Sequence, residues 1–221
     1  MKKPAPKPTT TWGKTWYFLW HEDSLASWLV NIVLAFLLIR FAFYPLLGVV
    51  LGTPFPIVAV VSESMEHGLY NNVLCSQPIS NFKESFDNYW DICGKWYESH
   101  NITKEQFGSF PLNSGFNKGD VILLWRANEK NVQVGDVLVF QASRPQPIIH
   151  RVVKIWDENG ERYYQTKGDH NSESILNGGV GEGQISSSRV FGKGAVRIPY
   201  LGWVKILFVD LVKPFGIVIE R

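Results

Sequence analysis

The sequence predicts a mainly β fold, an antiparallel barrel-like sheet, with an N-terminal transmembrane helix and a helical insertion. Three observations carry this prediction. One long apolar stretch stands near the start of the 221 residues. Short β-branched runs separated by Gly, Asp and Asn turns fill most of the remainder. Between the first two of these runs lies a segment, 70–112, rich in aromatic and polar residues and helical in its spacing over 82–98. The composition narrows the class further. With 45% hydrophobic residues and nine Trp the chain is not disordered, and two Cys are too few for a disulfide scaffold. A net charge of +2 gives no electrostatic footprint for nucleic acid, which is excluded as a partner.

The apolar stretch runs over 25–51, and Arg40 is its only charge. It exceeds the ~20 residues needed to cross a hydrocarbon core. Lys2, Lys3, Lys7 and Lys14 precede it with no acid before Glu22, which places the N-terminus in the cytoplasm and the following domain outside. A cleaved secretory signal is the alternative, but the stretch is too long and lacks a small-x-small exit before Phe41, Phe43 and Tyr44. Arg40 is expected near the outer surface, snorkelling to headgroups, with Pro45 ending the helix and 46–56 running along the interface. The expected organisation is therefore a cytoplasmic tail (1–24), an anchor with an interfacial segment (25–52) and an extracytoplasmic domain (53–221). A second apolar run at 200–220 is interrupted by Lys205, Asp210, Lys213 and Pro214, so it reads as an interfacial or core-packing segment rather than a second crossing.

In the outer domain, strands are expected at 57–61, 121–125, 137–140, 148–156, 162–166 and 189–198. Turn signals separate them at 118–120, 134–136, 158–160 and 178–179, and Glu158-Asn159-Gly160 marks a hairpin. Cys75 and Cys93 both lie in the insertion, where a disulfide and two buried thiols are equally open. Asn101-Ile102-Thr103 has the pattern of an N-glycosylation acceptor.

Three polar segments interrupt the β pattern. Ser62-Glu63-Ser64-Met65 follows the first strand, and strand alternation points both hydroxyls the same way. His150 stands in the apolar strand 148–156. Lys167-Gly168-Asp169-His170-Asn171 is a polar turn after the strand at 162–166. Taken one at a time, these are turn serines, a structural histidine and an Asx turn. Together they supply a hydroxyl, a base and a carboxylate, the parts of a nucleophilic triad.

These residues resemble signal peptidase I of the archaeal and endoplasmic-reticulum type, which removes signal peptides from exported preproteins. The boxes are FPIVAVVSESMEHG (55–68), GFNKGDVILL (115–124), VGDVLVF (134–140), IIHRVV (148–153), TKGDHN (166–171) and GKGAVRIPYLGWVKI (192–206), in order behind an anchor. The resemblance implies Ser64 as nucleophile, His150 as base, Asp169 as the carboxylate that orients it, and Ser62 as an oxyanion-hole hydroxyl. It also implies a preference for small residues before the cut, for which pockets lined by Ile57, Val58 or Val61 would suit. Two departures stand out. Glu63 replaces a Gly between the serines, and its side chain is expected to point away from Ser64. Ile175 stands where relatives often carry a second Asp, so Glu173 is an alternative acid beside Asp169. Lys167 is expected to be a solvated strand-end charge. No cofactor or metal is implied. The partners implied are preprotein signal peptides, the lipid bilayer and, at the membrane, the Sec translocon. The other reading is a membrane-anchored binding module with a vestigial peptidase site, which Ile175 keeps open. A self-cleaving repressor would need a DNA-binding domain and a lysine base in place of the anchor and His150.

Overall fold

The computed structural model describes residues 8–143, 145–176 and 180–212. It divides into two compact units, Met1–Val50 and Leu51–Arg221.

In the first unit, Thr10 caps helix α1 (Thr11–Trp20) and Ser24 caps α2 (Leu25–Leu38), each side chain accepting a backbone N–H of the first turn. Two polar side chains of α2 find carbonyls on α1: Ser27 Oγ donates to Phe18 O (2.5 Å) and Asn31 Nδ2 to Leu19 O (2.8 Å). Lys2, Lys3 and Lys7 lie outside the described residues. The helix does not end at Pro45. A π-helical turn (Ile39–Phe43) connects α2 to α3 (Tyr44–Leu51), and Tyr44 N–H reaches back to Ile39 O. The wider turn is the local adjustment by which a helix accommodates a residue that has no N–H to donate. Residues 46–51 therefore continue the helix past Pro45. The resulting 27-residue helix, Leu25–Leu51, is long and apolar enough to cross a membrane and spans about 40 Å at 1.5 Å per residue.

The second unit is built on a seven-stranded antiparallel sheet in the order β1-β4-β9-β5-β6-β7-β8. Its strands are β1 (Ile57–Ala59), β4 (Val121–Trp125), β5 (Val137–Phe140), β6 (Ile148–Glu158), β7 (Glu161–Lys167), β8 (Ile185–Ser186) and β9 (Val190–Ile198). Each expected strand is present within a few residues, and Asn159 and Gly160, both at positive φ, close the β6–β7 hairpin. Register shifts in the β4–β9, β5–β9 and β6–β7 pairs bend the strands, so the sheet curls into a half-barrel. The unbroken apolar run of β5 is explained by burial on both faces. Val137 and Val139 join a cluster with Val60, Met65 and Ile149, while Leu138 and Phe140 join Val152, Tyr164 and Ile185.

The segment at 70–112 contains a small hairpin, β2 (Val73–Leu74) with β3 (Gln77–Pro78), followed by α4 (Phe86–Ser99) and α5 (Lys104–Gly108). Its apolar residues form a cluster of their own around Tyr89, Trp90, Tyr97 and Phe107, joined to the sheet by Val153. Cys75 and Cys93 are disulfide-bonded, fastening the hairpin to α4.

At the C-terminal end, α6 (Trp203–Val212) sets the Trp203 indole against Gly119, where φ is +90° and a Cβ would collide with the ring. The remainder of the second apolar run, from Lys213, and the Gly178-Gly179 turn lie outside the described residues.

Candidate active site

Ser64 lies in the turn that follows β1. Two backbone bonds hold that turn against the segments at 115–120 and 166–171: Phe116 N–H donates to Met65 O (3.1 Å) and His170 N–H to Ser64 O (2.9 Å). Met65, almost fully buried, pins the turn from below. The Ser62 and Ser64 hydroxyls lie 3.2 Å apart, as strand alternation predicts. Glu63 turns away to an ion pair with Lys118 (3.1 Å).

His150 sits on β6 opposite Leu138 of β5. Its Nε2 lies 2.9 Å from Ser64 Oγ. The partner of its Nδ1 is Glu182, which is neither of the carboxylates expected from the sequence. Glu182 is fully buried and also accepts from Thr166 Oγ1 (3.1 Å) and from the Ile175 backbone N–H. Its own backbone is tied on both sides, to Thr166 N–H (3.1 Å) and to Ile175 O (3.0 Å). Hydroxyl, imidazole and carboxylate thus form one hydrogen-bonded line, in which the carboxylate fixes the ring and its tautomer and the ring can take the hydroxyl proton.

Asp169 is placed elsewhere. Successive side chains of a strand point to opposite faces, so His150 and Arg151 diverge, and Asp169 belongs to Arg151. Its carboxylate accepts from Arg151 Nε (2.9 Å) and Nη2 (2.6 Å), from Tyr97 OH (3.0 Å), and pairs with His67 Nε2 (2.9 Å). Arg151 is equally buried. It donates to the carbonyls of Pro111, Leu112 and Gly135, each at 2.9 Å, and lies over the Phe107 ring. Burial alone would disfavour the Asp169 anion, but the Arg151 guanidinium and the His67 bond overcome it and hold the carboxyl well below the usual range. Burial likewise pushes His67 down, against the pull of Asp169, and its ring stacks on Tyr89 at 3.7 Å. Asp169 is thus the hub of a buried ion-pair network that joins the insertion to the sheet. Glu173 is exposed and lines a neighbouring cavity.

Glu182 left a signal in the sequence. It is the only acid between Glu173 and Asp210, and it stands between two glycines. Gly181 adopts φ +62°, a conformation that lets the chain turn its carboxylate inward. Without the fold, nothing connects it to His150, 32 residues away.

Lys167 is fully buried rather than solvated, with Nζ at 3.0 Å from Gly168 O and 3.3 Å from Tyr97 OH. Burial brings its pKa down to about 7. Above that pH the folded chain releases this proton while the unfolded chain retains it up to the ordinary lysine range. Stability should therefore rise with pH from about 7 upward. Thermal melts between pH 7 and pH 9 should show the slope, and Lys167→Met should flatten it.

A cleft of about 410 Å³ opens beside Ser64, with Val58, Val61, Ile148 and Ile149 on its walls together with His150. Val58 and Val61 are two of the three side chains expected there; Ile57 is not on the wall. Among the described residues, no group of three or more His, Cys, Asp or Glu is placed to hold a metal ion.

No family profile matches the chain. Individual curated proteins do. It is 34% identical over 106 residues to the signal peptidase complex catalytic subunit SEC11C of Homo sapiens, which covers 46% of this chain and 55% of that protein. It is 30% identical over 102 residues to the catalytic subunit SEC11 of Yarrowia lipolytica (45% and 59%). It is also 30% identical over 104 residues to that of Candida tropicalis (46% and 62%). The chain therefore spans a little over half the length of the curated relatives it matches, and its homologues are catalytic subunits of signal peptidase complexes.

Proposed function

We propose that this chain is a membrane-anchored serine endopeptidase that removes N-terminal signal peptides from exported preproteins. The observation that carries the reading is the unbroken line from Ser64 Oγ through His150 to Glu182, at the mouth of an apolar cleft. The names of the relatives support the same reaction.

In the proposed mechanism Ser64 Oγ attacks the scissile carbonyl as its proton passes to His150 Nε2. Glu182 stabilises the imidazolium through Nδ1–H. The oxyanion is met by the Ser64 N–H and the Ser62 hydroxyl. The C–N bond breaks, His150 hands its proton to the departing amine, and the acyl group stays on Ser64 as an ester. Water then attacks the ester, giving its proton to His150, and the collapse of the second oxyanion returns a proton to Ser64 and releases the signal peptide as a carboxylate. The walls formed by Val58, Val61 and Ile148 suit a small apolar residue before the cut.

The Leu25–Leu51 helix is the proposed single-pass anchor in the cell membrane, with the N-terminus cytoplasmic and the catalytic domain outside. A signal peptide's apolar segment occupies the same bilayer, so tethering raises the effective concentration of its cleavage site. The alternative, a vestigial binding module, rests on Ile175, and a carboxylate on His150 weighs against it.

The test is cleavage of a preprotein by the full chain in detergent micelles, with the products identified by mass. The wild type should cut once after a small residue, and Ser64→Ala should not cut while keeping its melting temperature. Cleavage that persists in Ser64→Ala, or none by a folded wild type, would overturn the reading.

A further inference from the structure

A second cavity, of about 640 Å³, borders the cleft and shares Asn171 and Ile175 with it as common walls. The two differ in chemistry. The cleft beside Ser64 is walled mainly by Val and Ile, whereas the second cavity mixes Val73 and Leu176 with Tyr70, His170, Ser172 and Glu173. Its wall begins at the nucleophile, since His170 N–H donates to Ser64 O at 2.9 Å. The far wall comes from the segment at 70–112 and is fastened by two bonds. Cys75 N–H donates to His170 O (3.1 Å) and Ser76 Oγ to Ser172 Oγ (3.1 Å). At the boundary between the cavities, Asn171 Nδ2 is buried without a hydrogen-bond partner. Such donors are rare and call for an acceptor.

A peptide with its acyl side in the apolar cleft continues past Ser64, and the second cavity borders that cleft across Asn171 and Ile175. We infer that this second cavity receives the residues that follow the scissile bond, and that Glu173 makes it favour basic or neutral side chains over acidic ones. The inference rests on the peptidase reading above. Glu173 is the one Asp or Glu on the described wall, which carries no Lys or Arg. Because Glu173 is exposed, its discrimination should be modest and should weaken with salt.

The experiment uses one signal sequence followed by Arg, Ser or Glu in the first three positions after the cut. It is read in two ways: kcat/KM with the wild type, and peptide binding by fluorescence anisotropy with Ser64→Ala. Arg peptides should exceed Glu peptides by about two- to fivefold in both, the range an exposed charge pair allows. Glu173→Lys should invert the order, alone and on the Ser64→Ala background, while the preference for Ala over Leu before the cut stays as in the wild type. Tyr70→Ala, which opens the wall without changing its charge, should weaken binding of all three peptides and retain their order. Equal handling of the Arg and Glu peptides, or an order that Glu173→Lys does not change, overturns the inference. Where the wild type cleaves nothing but the binding order and its inversion hold, the peptidase reading fails, and with it the place of the cavity after a scissile bond, while its preference for basic over acidic peptides stands.

Discussion

Glu182→Gln should lower kcat for signal-peptide cleavage by roughly 10³- to 10⁴-fold, the effect of holding a triad base in the wrong tautomer. The carboxylate accepts on both oxygens, from His150 Nδ1–H on one and from the Ile175 N–H on the other, and Thr166 Oγ1 donates to the first. A glutamine offers one acceptor and one donor to the same site. If its amide NH₂ faces His150, Nδ1 must become the acceptor, and the ring proton moves to Nε2, where it points at Ser64 Oγ and blocks proton abstraction. If the NH₂ faces Ile175, two N–H donors oppose each other inside the protein. The shape is retained in either case, so the chain should stay folded and KM should change little. Steady-state kinetics with circular dichroism checks this. A Glu182→Gln variant with wild-type kcat would remove Glu182 from the proposed mechanism.

The largest expected loss of stability belongs to Asp169. Asp169→Ala leaves the fully buried Arg151 without a counter-charge, and breaking a buried pair from one side costs about 3–5 kcal/mol. For a folding unit of this size the melting temperature should fall by roughly 10 °C. The pH dependence has a definite sign. The folded Asp169 carboxyl is held well below its ordinary value, so its contribution is complete above the ordinary carboxylate range and is lost as the pH falls below that range. Melts from pH 7 down to pH 2 should show this acid limb in the wild type and a shallower one in Asp169→Ala. The double change Asp169→Leu with Arg151→Met removes both charges and should recover much of the loss. Activity per folded molecule should fall far less for Asp169→Ala than for Glu182→Gln, which separates the two carboxylates by measurement.

The distinction between these acids marks how far the sequence could be read. The resemblance of the turn at 166–171 to the family's acidic box implies Asp169 as the partner of His150, with Glu173 as a substitute. Neither choice can be tested on a linear chain, because a carboxylate's partner depends on which sheet face it meets. His150 and Arg151 are neighbours in sequence and point to opposite faces, and this alone assigns Asp169 to the arginine. Glu182 reaches His150 because the chain beyond β7 returns along the sheet, a fact of topology rather than of local pattern. For the same reason Lys167 departs from the solvated charge its sequence predicts. A lysine at a strand end is normally solvated, but here Tyr97, contributed by the segment at 70–112, covers it.

By itself the sequence determined what depends on local periodicity and local chemistry. The apolar stretch at 25–51, the strands β1, β4, β5, β6, β7 and β9 within a few residues, the Asn-Gly hairpin and the outward turn of Glu63 all follow from spacing that each residue imposes on its near neighbours, whereas the two-residue strands β2, β3 and β8 left no such signal. The two polar groups now found 2.9 Å apart, Ser64 and His150, each read alone as structural, and only their combination and the resemblance of the boxes around them singled them out. Only the tertiary structure decided the rest: which carboxylate meets the histidine, that Cys75 and Cys93 are joined, that a π-helical turn carries the helix past Pro45, and that a second cavity adjoins the cleft beside Ser64. Each of these is a contact or an adjustment settled by how separate elements pack, and the free energy that selects it exists only once those elements have come together.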